Sequence, residues 1–304
     1  MPRRVRKPVP MNMIEQVENA GGSGGWVLVL YCVLAFVAAL FGGALPDLMK
    51  LTHTRLQTAV SFVAGFMLGL SLLGMLPHAA EQVGSITTSS ALLIAGFVTM
   101  FVLQRFTPFH HHDVAEGSPL EPCGHPHSLA ERSARSLSWM GVAFGLSLHS
   151  VFDGLAMTAA VISESAIDRG LLGLGTALAV VLHKPFGALA IITLMRASGS
   201  TSAWRRWVNV AFALVTPVAA GLFYLGFQFW AGAMVGLEPR WAAYALAFCA
   251  GTFLYISSAD LLPELQFHKH DRLKLTVALL CGLVIAIVVT AFGHTPHLHP
   301  AGHS

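Results

Sequence analysis

Charge is what this sequence has least of: Asp, Glu, Lys and Arg together supply 11% of its 304 residues. Soluble domains carry roughly a quarter, so a water-facing globule is excluded for most of the chain. The formal net charge of +3 is explained by membrane topology below and gives no support to nucleic-acid binding. Cysteine is also scarce. Cys32, Cys249 and Cys281 lie inside apolar runs and only Cys123 lies in a polar segment, so no disulfide framework is implied and the first three read as small packing residues. H-E-x-x-H is missing, and G-x-S-x-G occurs only as the Gly/Ser linker at 21–25 and not as a nucleophile turn, so the usual signatures of a zinc protease and a serine hydrolase are absent.

In place of charge there is hydrocarbon: 55% of residues are hydrophobic and the mean hydropathy is +0.66. A bilayer crossing takes about 20 apolar residues. Runs of that kind lie near 26–45, 57–77, 89–105, 138–162, 171–196, 207–231, 241–263 and 273–292, and predict an all-α membrane protein of eight spans. The third run is the shortest. Pro217 falls inside the sixth, where neighbouring helices can accommodate a kink. The first run is too long for an ordinary signal-peptide core and lacks a small-x-small cleavage site, so it reads as a retained helix.

Lysine and arginine set the expected orientation, because cytoplasmic loops are enriched in them. Connections after odd-numbered spans hold Lys50, Arg55, Arg105, Arg132, Arg135, Arg196, Arg205, Arg206, Lys269, Arg272 and Lys274, whereas the opposite connections hold only Arg169 and Arg240. Both termini are therefore expected outside the cytoplasm. The basic Arg3, Arg4, Arg6 and Lys7 argue the other way, but Glu15, Glu18 and a Gly/Ser linker separate them from the first span. The division expected is an extracytoplasmic tail at 1–25, a transmembrane domain at 26–292 and a His-rich extracytoplasmic tail at 293–304.

Two polar tracts stand apart from the spans. Residues 107–136 read as a disordered-type cytoplasmic loop carrying His110, His111, His112, Cys123, His125 and His127. These side chains could bind or sense a transition metal, or belong to a solvated linker. The C-terminal tract carries His294, His297, His299 and His303, without a spacing that encloses an ion.

The strongest chemistry lies in the fourth and fifth spans. His149-Ser150-Val151-Phe152-Asp153-Gly154 and His183-Lys184-Pro185-Phe186-Gly187 place ionisable groups where hydrocarbon should exclude them, which marks a functional site. His149 and Asp153 stand four apart and share a helix face. His149 and His183 each lie about twelve residues into their spans, hence near the midplane at roughly 1.5 Å per residue. The short connection from Ser163 to Gly170 makes the two helices antiparallel neighbours. His149, Asp153 and His183 can then surround one zinc, iron or manganese ion. The alternative is that each histidine makes a helix-to-helix hydrogen bond.

H-S-V-F-D-G and H-K-P-F-G resemble the paired motifs of the ZIP (Zrt-, Irt-like protein) metal transporters, written H-N-x-x-[DE]-G and H-E-x-P-H-E. Eight spans, outside termini and a His-rich loop between the third and fourth spans also resemble that family. The resemblance covers residues 26–292. It implies a 3+2+3 helix bundle and uptake of divalent cations into the cytoplasm, with zinc as transported substrate, no catalytic cofactor and no enzyme activity. It further implies His149, Asp153 and His183 as metal ligands, with Ser150 at a weaker ligand position. Two departures matter: Lys184 replaces the acid after the fifth-span histidine, and Gly187 stands where a final acid usually bridges two metals. An ammonium near the midplane needs an anionic partner. Asp153 is the expected one, with Lys184 in the electrostatic role of a second metal; the alternative is that Lys184 faces a different sector and reaches a water-filled cavity.

The ends of two further spans supply candidate pathway residues. The second ends outside with Leu76-Pro77-His78 and then Glu81, and the seventh ends inside with Asp260-Leu261-Leu262-Pro263-Glu264. Pathway mouths and ordinary helix-end chemistry are both open readings for His78, Glu81, Asp260 and Glu264. An inverted repeat relating spans one to three with six to eight would place such mouths in pairs, although no convincing repeat shows elsewhere in the sequence. Met67, Met75 and Met157 read as packing residues before ligands. Gly145, Gly154, Gly173, Gly175, Gly187 and Ala188 would let helices approach closely. Partners expected are divalent metal ions and the lipid bilayer, with a homodimer left open. Short loops and the resemblance point to a bacterial inner membrane. A non-transporting metal sensor and an intramembrane zinc hydrolase are the rival functions.

Overall fold

Backbone N–H and C=O groups have no water to bond with in hydrocarbon, so long apolar runs satisfy them internally as helices. The computed structural model describes residues 11–48, 53–106, 129–165, 172–233, 238–261 and 272–293. Among them there is no strand. The helices are α1 (Met11–Leu48), α2 (His53–Gly69), α3 (Leu76–Val83), α4 (Ile86–Phe106), α5 (Leu129–Ser165), α6 (Leu174–Ala197), α7 (Ser202–Ala233), α8 (Glu238–Tyr255) and α9 (Arg272–Gly293). Two π-helical segments, Leu70–Met75 and Ile256–Leu261, continue α2 and α8.

Eight segments are long and apolar enough to cross a membrane, and they fall on the eight runs read from the sequence. The chain is an integral, multi-pass, all-α membrane protein. Three boundaries differ from expectation. The third span is Ile86–Arg105, as long as the seventh and eighth at 20 residues each. Backbone of α1 is helical from Met11, inside the segment read as a tail, and α5 begins at Leu129, inside the segment read as loop. The loop residues His110, His111, His112, Cys123, His125 and His127 and the four C-terminal histidines lie outside the described residues.

On α1 and α7 large side chains line the outer surface, and alanines line much of the interior. Val29, Val33, Val37 and Phe41 of α1, and Leu214, Val218, Leu222, Leu225 and Phe229 of α7, recur at helical spacing on the outer surface. Ala35, Ala39, Ala213, Ala220, Ala243, Ala247 and Ala250 are fully buried or nearly so. That inversion of the water-soluble pattern suits helices that pack by close backbone approach in lipid. Met67, Met75 and Met157 are buried in the apolar core, as packing residues.

Packing follows a two-fold plan. α1 lies against α6 and α5 against α7, while α2 lies against α9 and α4 against α8. Helix α5 touches α1, α6, α7 and α8 and so sits at the centre. The contacts are made by glycines whose added Cβ would overlap a neighbouring backbone. Gly65 faces Leu279 and Gly251 faces Leu93; Gly96 faces Phe248 and Gly282 faces Phe62. Phe62 and Phe248, Gly65 and Gly251, Leu93 and Leu279, and Gly96 and Gly282 are each 186 positions apart.

The same interval relates both π-helical segments and the starts of α4 and α9. It also relates Ser71, whose hydroxyl donates to Leu68 O at 3.1 Å, and Ser257, whose hydroxyl donates to Leu254 O at 3.0 Å. Spans two and seven are an odd number of crossings apart and run in opposite directions, so this is an inverted repeat. Its trace in the sequence is F-x-A-G at 62–65 and 248–251, followed by Leu-Pro at 76–77 and 262–263. The expectation that no repeat shows elsewhere is corrected accordingly. Each proline stands two residues after its π-helical segment. A proline ring displaces the carbonyl four residues back and removes one N–H, which accounts for the widened turn ahead of Pro77; Pro263 lies outside the described residues.

Candidate metal centre

Helix geometry brings three donors to one point in the middle of the bundle. On α5, the four-residue spacing directs His149 and Asp153 to the same side, and His149 Nε2 stands 3.4 Å from Asp153 Oδ1. From α6, His183 Nε2 reaches 3.4 Å from Asp153 Oδ2 and 3.2 Å from His149 Nε2. All three residues are buried. Among the described residues this is the only group of three or more His, Cys, Asp or Glu close enough to hold a metal ion.

The tautomer of His183 is set by its backbone partner. Its Nδ1 lies 2.7 Å from Ala179 O, which can only accept, so Nδ1 carries the hydrogen and Nε2 presents a lone pair to the cluster. His149 Nδ1 has no hydrogen-bond partner, so the hydrogen of that ring can sit on Nε2 and be donated to His183 Nε2 at 3.2 Å; a divalent cation would take the place of this hydrogen among the three donors. Two nitrogens and one oxygen are a donor set suited to zinc and to other first-row divalent ions.

Lys184, one residue after His183, reaches the same carboxylate oxygen, Oδ2, as His183 Nε2. Its ammonium lies 3.1 Å from Asp153 Oδ2 and 2.6 Å from Ser150 Oγ, and it also donates to Thr216 Oγ1. The expected pairing with Asp153 is therefore present, at 2% and 0% side-chain exposure. Phe212 of α7 covers the ammonium with its ring, centroid 5.1 Å away. Ser150, counted above among the weaker candidate ligands, has its oxygen on this ammonium and outside the three-residue cluster. Gly187, where the resemblance expects an acid, would turn a Cβ toward Phe212 and Leu146.

Thr216 was not singled out by the sequence. A lone threonine in a long apolar span has no periodic signal, and its one clue is its place before Pro217. Gly154, which ends the first motif, lets α5 meet α7 at Thr216, Ala219 and Ala220; the Thr158 hydroxyl adds a bond to Ala220 O at 3.0 Å.

A second polar cluster lies ten residues further along α5, roughly 15 Å away. His78 of α3 is buried, with its Nε2 3.0 Å from Gln82 Nε2 and 3.2 Å from Ser163 Oγ. The Ser163 hydroxyl donates to Gln82 Oε1 at 2.8 Å, and Gln82 Nε2 donates to Ser163 O at 2.8 Å. The structure thus joins His78 to Gln82 and Ser163, neither of which the sequence flagged as partners, while Glu81 is exposed on the helix surface. Asp260 belongs to the second π-helical segment and Glu264 lies outside the described residues.

Known proteins resemble the chain along this same framework. The family described as ZIP Zinc transporter matches residues 110–290, which include both central motifs. Zinc transporter ZIP9-B of Xenopus laevis is 28% identical over 214 residues, covering 66% of this chain and 64% of the frog protein; the chain thus spans just under two thirds of that relative's length. Zinc transporter ZIP1 of Danio rerio is 25% identical over 300 residues, covering 84% of this chain and 94% of the fish protein. Zinc transporter YKE4 of Saccharomyces cerevisiae is 22% identical over 257 residues, covering 82% and 72%. With more than half of the sequence matched and both motifs converging on one buried donor set, the chain belongs to the ZIP zinc transporter family.

Proposed function

We propose that the chain moves divalent transition-metal cations, zinc foremost and iron or manganese as further candidates, across a membrane into the cytoplasm. The ion passes through a site made by His149, Asp153 and His183 between α5 and α6. The observation that carries this is the convergence of two imidazole nitrogens and a carboxylate in a water-poor core, one of those nitrogens bared by a bond to Ala179 O. Lys184 already supplies a fixed positive charge beside Asp153. In this reading it stands in for a second metal, and the centre handles one ion at a time.

Direction rests on charge distribution. Arg55, Arg105, Arg196, Arg205, Arg206, Arg272 and Lys274 mark the cytoplasmic face by the positive-inside rule, and an inside-negative potential favours inward movement by about 2.3 kcal/mol per charge per 100 mV. His78 then belongs to the outer mouth and Asp260 with Glu264 to the inner one; by the 186-residue repeat, His78 and Glu264 occupy equivalent places. Short connections between spans support a bacterial inner membrane. The named relatives come from frog, fish and yeast.

The test is zinc, iron, manganese and cadmium flux into proteoliposomes holding wild type, the His149→Ala/His183→Ala double mutant or no protein. Flux in wild type alone is expected. Wild-type flux no greater than that of the double mutant sinks the assignment. The sensor reading is separated by deleting residues 110–127: a transporter keeps basal flux and a sensor loses its response.

A further inference from the structure

The ammonium of Lys184 has three hydrogens, and three acceptors surround it: Asp153 Oδ2, Ser150 Oγ and Thr216 Oγ1. Both hydroxyls are restricted to accepting from it. Ser150 donates its own hydrogen to Leu146 O at 2.7 Å, and Thr216 donates its own to Ser150 O at 3.1 Å. Their remaining lone pairs face Nζ. Lysine is ordinarily a flexible point charge. Here it is tied to α5 and α7 at once and cannot turn away from the carboxylate.

This fixation has a consequence for the carboxylate. Oδ2 lies 3.4 Å from His183 Nε2 but is held by Lys184 at 3.1 Å, so the carboxylate oxygen without a hydrogen-bond partner is Oδ1, 3.4 Å from His149 Nε2. We propose that Thr216, together with Ser150, is a specificity-determining positioning pair that pins Lys184 on Asp153 Oδ2 and so limits the centre to two imidazole nitrogens and one carboxylate oxygen. Three such donors plus a water are what tetrahedral zinc takes. Manganese favours carboxylate, carbonyl and water oxygens, and a carboxylate held by one oxygen serves it poorly. The inference rests on the metal-centre reading above and deepens it.

Zinc and manganese binding would be measured by equilibrium dialysis of the full chain in detergent, with elemental analysis. Binding retained by His149→Ala/His183→Ala is subtracted to remove the other histidines' contribution. Thr216→Val is expected to lower the zinc-to-manganese affinity ratio about tenfold, the low end for losing a partner of a metal ligand. Thr216→Ser, which keeps the hydroxyl, is expected to match wild type. A ratio unchanged in Thr216→Val, or lowered as much in Thr216→Ser, overturns the proposal. Should Thr216→Val not remain monodisperse, Ser150→Ala, which removes the other hydroxyl accepting from Lys184, carries the test: the same fall is expected, and an unchanged ratio overturns the proposal. Wild type binding no more ion than the double mutant defeats the metal-centre reading itself, and the selectivity argument falls with it.

Discussion

A carboxylate and an ammonium buried side by side are costly to create and costlier to separate. Desolvating each ion consumes most of their mutual attraction, so the pair adds little stability as a pair, yet deleting one partner strands a charge. Asp153 and Lys184 are in that position, at 0% and 2% exposure. Asp153→Asn is expected to destabilise the protein by about 3–5 kcal/mol, seen as a lower unfolding temperature in detergent with chelator present. Adding Lys184→Met should restore most of the loss, because the stranded charge is then gone. If the double variant unfolds as early as Asp153→Asn alone, the pair is not coupled as the geometry requires. The two motifs made His149, Asp153, His183 and Lys184 legible in the sequence because ionisable residues in an apolar span announce themselves. Thr216, Gln82 and Ser163 were not legible, since uncharged polar side chains are tolerated in spans and only the packing of α5 on α7 and α3 reveals what they hold.

Helices in lipid gain nothing from burying apolar surface against one another, so their association depends on how closely backbones can come. In this bundle the closest approaches are at Gly65, Gly96, Gly251 and Gly282, where a Cβ would overlap backbone of Leu279, Phe248, Leu93 and Phe62 respectively. Alanine at any of these positions is expected to push α2 from α9 or α4 from α8 and to lower the unfolding temperature. Gly221→Ala on α7, where nothing lies within 4 Å, should be neutral or slightly stabilising through helix propensity. Thermal unfolding of all five single variants in one detergent checks this; four losses and one neutral change are expected. Equal effects at Gly221 and Gly96 would show that the close approaches do not hold the bundle. The extents of the spans were legible from hydropathy. The repeat was not, because its two copies share little beyond F-x-A-G and Leu-Pro; what they conserve is a backbone distance, which many side-chain choices satisfy.

At the scale of the whole molecule, the inverted repeat makes the two faces of the bundle alike in fold, and charge is what distinguishes them. The turn at Gly84–Ser85, where the left-handed backbone of Gly84 (φ 74°) ends α3, lies on the face poor in lysine and arginine. The turn at Ser198–Ser200 lies on the other, beside Arg196, which pairs with Asp47 Oδ1 at 3.0 Å and donates to Pro46 O at 2.6 Å, and Arg205, which donates to Ser200 O at 2.7 Å. These arginines tie the ends of α1, α6 and α7 together where the positive-inside rule expects cytoplasm. Inward transport requires that placement. In a background with Cys32, Cys123, Cys249 and Cys281 replaced by serine, Ser85→Cys is expected to react with a membrane-impermeant thiol reagent on intact cells. Ser200→Cys should react only after permeabilisation. The reverse pattern would put both termini in the cytoplasm, and the same bundle, with its centre unchanged, would then face its ion from the opposite side.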